Sequence, residues 1–277
     1  VIHLRSVATK RASAADAGYP WSVPAVGSLG TLELTAPVTF FVGENGSGKS
    51  TVLEGIAAAA RLPAVGAAPI EDDRTLSAAR ALGNSLRLTW DHRTHRGFFL
   101  RAEDFFGFAK SVHQMRTELQ ERLAQLQVEY EDRSAYALQL ASGPMRASLG
   151  ELTEKYGVDL DANSHGQSFL LLFQSRFVPG GLYLLDEPEA PLSPQSQLAL
   201  LALLDEMVRQ DAQFIIATHS PILLAFPGAA ILDFDRTPVQ PVAYEETAHV
   251  RVTKDFLLDP QRYLRHLFAD APLDHPR

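Results

Sequence analysis

No cysteine occurs among the 277 residues, which excludes disulfides, thiolate catalysis and cysteine-held zinc or iron–sulfur centres. No apolar run approaches the ~18 residues of a membrane span. The longest clean stretches, such as 198–204, are far shorter, so direct membrane insertion is not expected. The first twenty residues, VIHLRSVATKRASAADAGYP, are basic and rich in Ala and Ser but lack an apolar core of signal-peptide length. No repeat of roughly 20–50 residues is visible, which argues against a solenoid or propeller. Basic residues are in the minority, 25 Lys+Arg against 33 Asp+Glu for a net charge of −8. That balance speaks against a wholesale nucleic-acid binder and leaves room only for a local basic patch. These absences together lead us to expect a cytoplasmic protein.

The remainder has an ordinary globular balance, with 46% hydrophobic and 21% charged residues. Such a chain can bury a large core without staples, and its length suggests about two units. Residues 38–42 (VTFFV) form a short β-rich run that stops at a glycine-rich loop, and 51–62 read as a helix. Strand, loop and helix in that order begin a parallel α/β sheet. Residues 85–90 and 97–100 are strand-like with a turn between them, and read as a hairpin. Met115, Leu119, Leu123, Leu126 and Tyr130 then recur at helical spacing. Gly143-Pro144 interrupts the pattern, and Met145, Leu149, Leu152 and Tyr156 start a second stripe. The α/β pattern resumes with a helix over 164–177, a buried strand at 182–185, a helix over 194–210 and a buried strand at 213–217. Two β-rich stretches, 230–234 and 239–244, precede a polar helix running from 245 towards 267. The expected division is a first core part at 1–109, a helical insertion at 110–163, a second core part at 164–269 and a tail at 270–277.

The glycine-rich loop reads Gly43-Glu44-Asn45-Gly46-Ser47-Gly48-Lys49-Ser50, followed by Thr51. Its glycines let the backbone wind so that successive N–H groups face phosphate, and the following helix adds its positive end. Lys49 is placed to reach the β- and γ-phosphates, and the Ser50 hydroxyl to bind Mg²⁺. A second apolar strand ends in Asp186-Glu187-Pro188. There Asp186 can hold the Mg²⁺ shell with Ser50, while Glu187 polarises the attacking water. A third strand runs into Thr218-His219-Ser220-Pro221. His219 would lie at the carboxyl edge of the sheet, within reach of the γ-phosphate or the water. Ser164 opens the helix that contains Gly166, and that segment reads as an anion site or a plain capped helix. Asp233 and Asp235 resemble a metal-binding D-x-D pair but read first as ordinary strand-end acids. Arg251, Lys254, Arg262, Arg265 and His266 read as a solvated face, with a weak face for an anionic partner as the alternative.

Together these motifs resemble the ATP-binding-cassette (ABC) ATPases. GENGSGKST resembles their Walker A motif, LYLLDEP their Walker B motif with its glutamate, and THS their switch histidine. SHGQS resembles a variant of their signature motif, with His165 where a glycine usually stands. Ser164 lies 22 residues before Asp186, and His219 lies 33 after it. GENGSGKST, SHG, LLDEPEA, THSP and YEET are closer to the stand-alone SMC- and OLD-like branch. The resemblance implies an α/β P-loop NTPase of ABC-ATPase type, with a mostly parallel core sheet, an N-terminal antiparallel β part and an inserted helical subdomain. It implies ATP and Mg²⁺ as ligands, and two copies facing head to tail with Ser164 and Gly166 touching the γ-phosphate in trans. Glu187 is then the general base and His219 its partner. Tyr19 is expected to stack on the adenine, with Trp21 the next candidate.

The sequence also departs from the family. The usual Q-loop glutamine is missing, and Glu103 is the candidate to stand near Mg²⁺ in its place. The segment after Walker B, Ala190-Pro191-Leu192-Ser193, lacks the family's aspartate. His165 beside the phosphates would make dimer formation pH-sensitive near its reference pKa of ~6.5, an effect that His165→Gly should remove. The expected partners are a second copy and an unidentified protein, with nucleic acid left open. The alternatives are the ATPase subunit of a membrane transporter, or an ATP-gated binding module with negligible turnover in DNA repair or phage defence, its effector acting in trans.

Overall fold

The computed structural model describes residues 1–10, 18–65, 77–156 and 165–268. In chain order the elements are β1 (Leu4–Thr9), α1 (Pro24–Gly27), β2 (Thr31–Glu33), β3 (Val38–Val42), α2 (Lys49–Ala60), α3 (Ser77–Ser85), β4 (Leu86–Trp90) and β5 (Gly97–Arg101). Two long helices, α4 (Ala102–Glu129) and α5 (Ala135–Tyr156), follow, then α6 (His165–Arg176), β6 (Leu182–Asp186), α7 (Pro194–Arg209) and β7 (Gln213–Ala217). The chain closes with α8 (Pro221–Leu224), β8 (Ala230–Asp233), β9 (Gln240–Pro241), a short 3-10 turn at Tyr244–Glu246, α9 (Ala248–Leu258) and α10 (Pro260–Leu267).

The main sheet has the order β5-β6-β7-β3-β8-β9. Its first five strands are parallel to their neighbours, and β9 is antiparallel at the edge. Every residue of β3, β6 and β7 is buried, as covering both faces of a parallel sheet requires. Side chains alternate between two cores. Phe40, Tyr183 and Phe214 point to the side covered by α6 and α7. Phe41, Leu184 and Ile215 point to the side covered by α2, α3 and a second sheet. That second sheet is antiparallel, in the order β2-β1-β4. It is fastened to the first by the fully buried Gln213, whose amide accepts from the N–H groups of His3 and Leu4 (both 2.8 Å) and donates to the Leu4 carbonyl (2.9 Å). The α/β architecture is therefore the expected one: a mixed, mostly parallel sheet, an antiparallel sheet and helices.

Several local expectations do not hold. The segments read as a hairpin belong to different sheets: β4 pairs with β1 and β5 lies parallel to β6. Their burial explains this, since β4 is buried on one side only whereas β5 is buried through its centre, so each finds the sheet that covers it. Gly143-Pro144 does not end a helix, and α5 runs through Pro144. The amide bond that proline forfeits would have gone to Leu140, where the side chain is 62% exposed and water can replace it. The C-terminal helix is instead broken at Asp259-Pro260. Asp259 accepts the Arg262 N–H and caps α10 afresh.

Candidate functional site

Arg101, Asp186, Ala217 and Phe41 lie in one row across β5, β6, β7 and β3. The residues that follow these strands therefore emerge together at the carboxyl edge of the sheet. At the end of β3 the chain winds through Gly43, Gly46 and Gly48, all at positive φ. A Cβ at Gly48 would lie 2.7 Å from Val23 Cγ1, and one at Gly43 would lie 2.8 Å from Ser47 Oγ, so these two positions have no room for larger residues, whereas the space around Gly46 is open. Gly48 is the N-cap of α2 and offers no side-chain acceptor, which leaves the first-turn amides available to an anion. Lys49 is buried and its Nζ donates to the carbonyls of Gly43 (2.7 Å) and Glu44 (3.0 Å). Burial pulls its pKa down, opposed by the charges of Glu187, Asp186, Asp235 and Glu44. The Ser47 hydroxyl is buried without a partner. An unsatisfied hydroxyl, a buried lysine and uncapped amides in one loop fit a phosphate group.

Ser50 Oγ donates to Asp186 Oδ1 at 3.1 Å. Asp186 is buried, and its pKa is pushed up to about 7, first by burial and then by Glu187 and Glu54, against the Ser50 hydrogen bond and Lys49. A carboxylate so short of positive charge beside a hydroxyl fits Mg²⁺, which takes one or two protein ligands and completes its shell with water and phosphate oxygens. Among the described residues no cluster of three His, Asp or Glu is arranged to hold a metal unaided. Ser50, Glu54, Arg101, Ala102, Asp186 and Glu187 line a cavity of about 260 Å³. Its Arg101 is paired with Asp104 (2.8 and 3.0 Å) and Glu54 (3.5 Å). Glu103 lies on α4, with its side chain outside the described residues.

Glu187 holds a left-handed backbone (φ 49°), pinned by its N–H donating to the Ala217 carbonyl at 2.9 Å. Such strain is concentrated at functional positions. Its carboxylate Oε1 lies 3.4 Å from His219 Nε2, without the alignment of a hydrogen bond. The backbone N–H of His219 donates to Glu189 Oε1 at 2.7 Å. Burial raises the Glu189 pKa and lowers that of His219, the latter with help from Lys49 and His249. The His219 Nδ1 lies 3.3 Å from His249 Nε2. Tyr19 is 62% exposed, with its hydroxyl 3.4 Å from Thr51 Oγ1, whereas Trp21 packs against the core. Gly166 is the second residue of α6 and Ser164 lies outside the described residues. Asp235 accepts the Glu44 N–H with both oxygens (2.8 and 3.1 Å), and Asp233 accepts from Asp235 and Arg236.

Glu189, His249 and Asp235 were not among the expected site residues. Glu189 and His249 each sit 30 positions from His219, so no local periodicity links them. Glu189 nonetheless lies within the legible motif LLDEPEA, whereas His249 lies two residues beyond YEET.

Two family models match parts of the chain. One, described as an AAA domain, putative AbiEii toxin, type IV TA system, matches residues 167–225. The other, described as an AAA domain, matches residues 27–60. The first spans the Asp186-Glu187 strand end and His219, and the second spans the phosphate loop. Both matches are to AAA domains, and between them they take in the phosphate loop and the strand ends that carry Asp186, Glu187 and His219. No curated protein matches this chain. Among solved structures it is similar to cbiO1 from Clostridium perfringens, part of the ABC transporter complex cbiONQ, with 16% identity over 96% of this chain and 99% of that one (TM-score 0.45). It is also similar to the SMC head domain from Thermotoga maritima, with 14% identity over 87% and 100% of the two chains (TM-score 0.44). A third, the Pyrococcus furiosus Smc head domain bound to the C-terminal domain of ScpA, has 10% identity over 93% and 100% (TM-score 0.44). No helix among the described residues is long and apolar enough to cross a membrane.

Proposed function

We propose that this chain is a P-loop NTPase of the ABC/SMC-like type, which binds ATP with Mg²⁺ and hydrolyses it between two copies arranged head to tail, the closed dimer driving or signalling to a partner protein. The observation that carries the reading is the convergence, at one sheet edge, of the Ser50–Asp186 pair with the Glu187–His219 pair. Lys49 and the amides of the phosphate loop offset charge on the transferring phosphoryl group. Ser50 and Asp186 hold the Mg²⁺, which supplies further positive charge. Glu187 takes the proton of the attacking water, and His219 holds the water and phosphate in line. The exposed Tyr19 ring beside Thr51 supports a stacking role on the adenine. Ser164 and Gly166 complete the site from the second copy, and the helical insertion at 110–163 meets the partner.

The test is Mg²⁺-dependent ATP turnover of the purified protein. Glu187→Gln should lower kcat by about 100-fold or more, the range of a lost general base, while ATP binding persists. Lys49→Ala should abolish binding. Turnover that survives Glu187→Gln would overturn the assignment of the base.

A further inference from the structure

We propose that His249, on the first turn of α9, is a positioning residue that fixes His219 in the tautomer carrying its proton on Nε2. The proposal rests on the roles given above to Glu187 and His219. A carboxylate only accepts, so Glu187 Oε1 at 3.4 Å favours a proton on His219 Nε2. Burial and the nearby Lys49 favour the neutral ring. A neutral ring protonated on Nε2 has a bare Nδ1, which needs a donor. The group facing that atom is His249 Nε2 at 3.3 Å, with the two rings crossing edge to face (4.8 Å between centroids, 78°). His249 then donates Nε2–H to His219 Nδ1, and the remaining ring proton of His219 sits on Nε2, facing Glu187 Oε1. In a histidine the hydrogen bond made by one nitrogen selects the tautomer at the other.

The position of His249 is held from both sides along the chain. Thr247 is buried, and its hydroxyl donates to the Tyr244 carbonyl at 2.8 Å. The Tyr244 hydroxyl in turn donates to the Pro221 carbonyl at 3.2 Å, two residues beyond His219. Val250 is buried in the main core. The C-terminal segment is thus clipped to the loop that carries His219, and His249 cannot drift from it without unseating Val250.

Two readouts test this. The first is ¹⁵N NMR of the histidine rings in the nucleotide-free protein at about pH 8, well above the ordinary imidazole pKa, with His219 assigned by its substitution. The native protein should show His219 as the Nε2–H tautomer. His249→Leu should convert it to a mixture, and His249→Gln, which keeps an N–H donor, should restore it. The second readout is kinetic. His249→Leu should lower kcat by ~10- to 100-fold, the usual loss when the outer partner of a functional histidine is removed. KM should stay within about two-fold, the Gln variant should recover most of kcat, and His249→Leu should add no loss on a His219→Ala background. An Nδ1–H tautomer in the native protein, unchanged His219 shifts in His249→Leu, or a kcat loss additive with His219→Ala would each overturn the proposal. Should turnover survive Glu187→Gln, it is the assignment of the base that fails, and the NMR measurement still decides the role of His249.

Discussion

Asp186 illustrates how a residue proposed to bind a ligand can work against the stability of the protein that carries it. Its carboxyl is raised from 3.8 to about 7 by burial first, so the folded protein binds the proton more tightly than the unfolded chain does. Between those two values the folded state holds more protons, and stability falls as pH rises through the window. A shift of that size sets an upper limit of about 4 kcal/mol, before relaxation of the site reduces it. The nucleotide-free protein in chelator should therefore lose melting temperature from about pH 5 to pH 7.5 by a component that Asp186→Asn removes. His219 titrates in the opposite sense, since its pKa is lowered and stability gained from its deprotonation rises with pH. The decisive quantity is thus the difference between the native and Asp186→Asn curves, measured by thermal melts in parallel. Asp186→Asn should be the more stable of the two at neutral pH, yet gain nothing from Mg²⁺ and nucleotide together. Equal pH slopes for the two proteins would remove this account.

At the scale of elements, β5 is the strand whose place depends most on one residue. Gly97 begins it at φ 121°, and a Cβ there would run into the backbone of Leu182, including its carbonyl oxygen. No other residue permits both that φ and that approach. Gly97→Ala should separate the start of β5 from β6 and destabilise the protein by roughly 2–4 kcal/mol, as strained backbone substitutions in a core do. A melting temperature within a degree or so of native would show that β5 does not rely on this contact. The same strand shows where reading the sequence stops. VTFFV, LYLLD and QFIIA were legible because strands buried on both faces are apolar throughout, and the loop after VTFFV because phosphate chemistry demands glycines there. The partner of β5 was not legible, because Gly97–Arg101 and Leu182–Asp186 are more than eighty positions apart and nothing local distinguishes a hairpin return from a crossover. The site divides in the same way. Lys49, Ser50, Asp186, Glu187 and His219 were readable as motifs, while Glu189 and His249 reach His219, and Asp235 the Glu44 amide, through contacts between distant segments.

For the whole molecule, the question is what covers the phosphate loop. Lys49 and Asp186 form a buried floor, but Glu44, Asn45 and Gly46 are exposed and the Glu187 side chain is 45% exposed. A site whose chemistry needs water excluded and charge concentrated is thus open on one side in the single chain. In the proposed head-to-tail arrangement, Ser164 and Gly166 of a second copy would cover the exposed phosphates. Each copy carries a net charge of −8, so two chains repel at a distance, and in the proposed arrangement the nucleotide bridge has to offset that repulsion. Association should therefore depend on ligand. Light scattering behind size-exclusion chromatography should show Glu187→Gln as a monomer alone and as a dimer with Mg²⁺ and ATP. Ser164→Arg, which places a bulky side chain at the same interface, should keep it monomeric while leaving ATP binding in place. Because the long-range term is repulsive, the dimer should also strengthen as salt is raised from about 50 to 150 mM, where the screening length shortens to about 8 Å. A Glu187→Gln protein that stays monomeric while ATP is bound would assign hydrolysis to the single chain and leave Ser164 and Gly166 without a role in it.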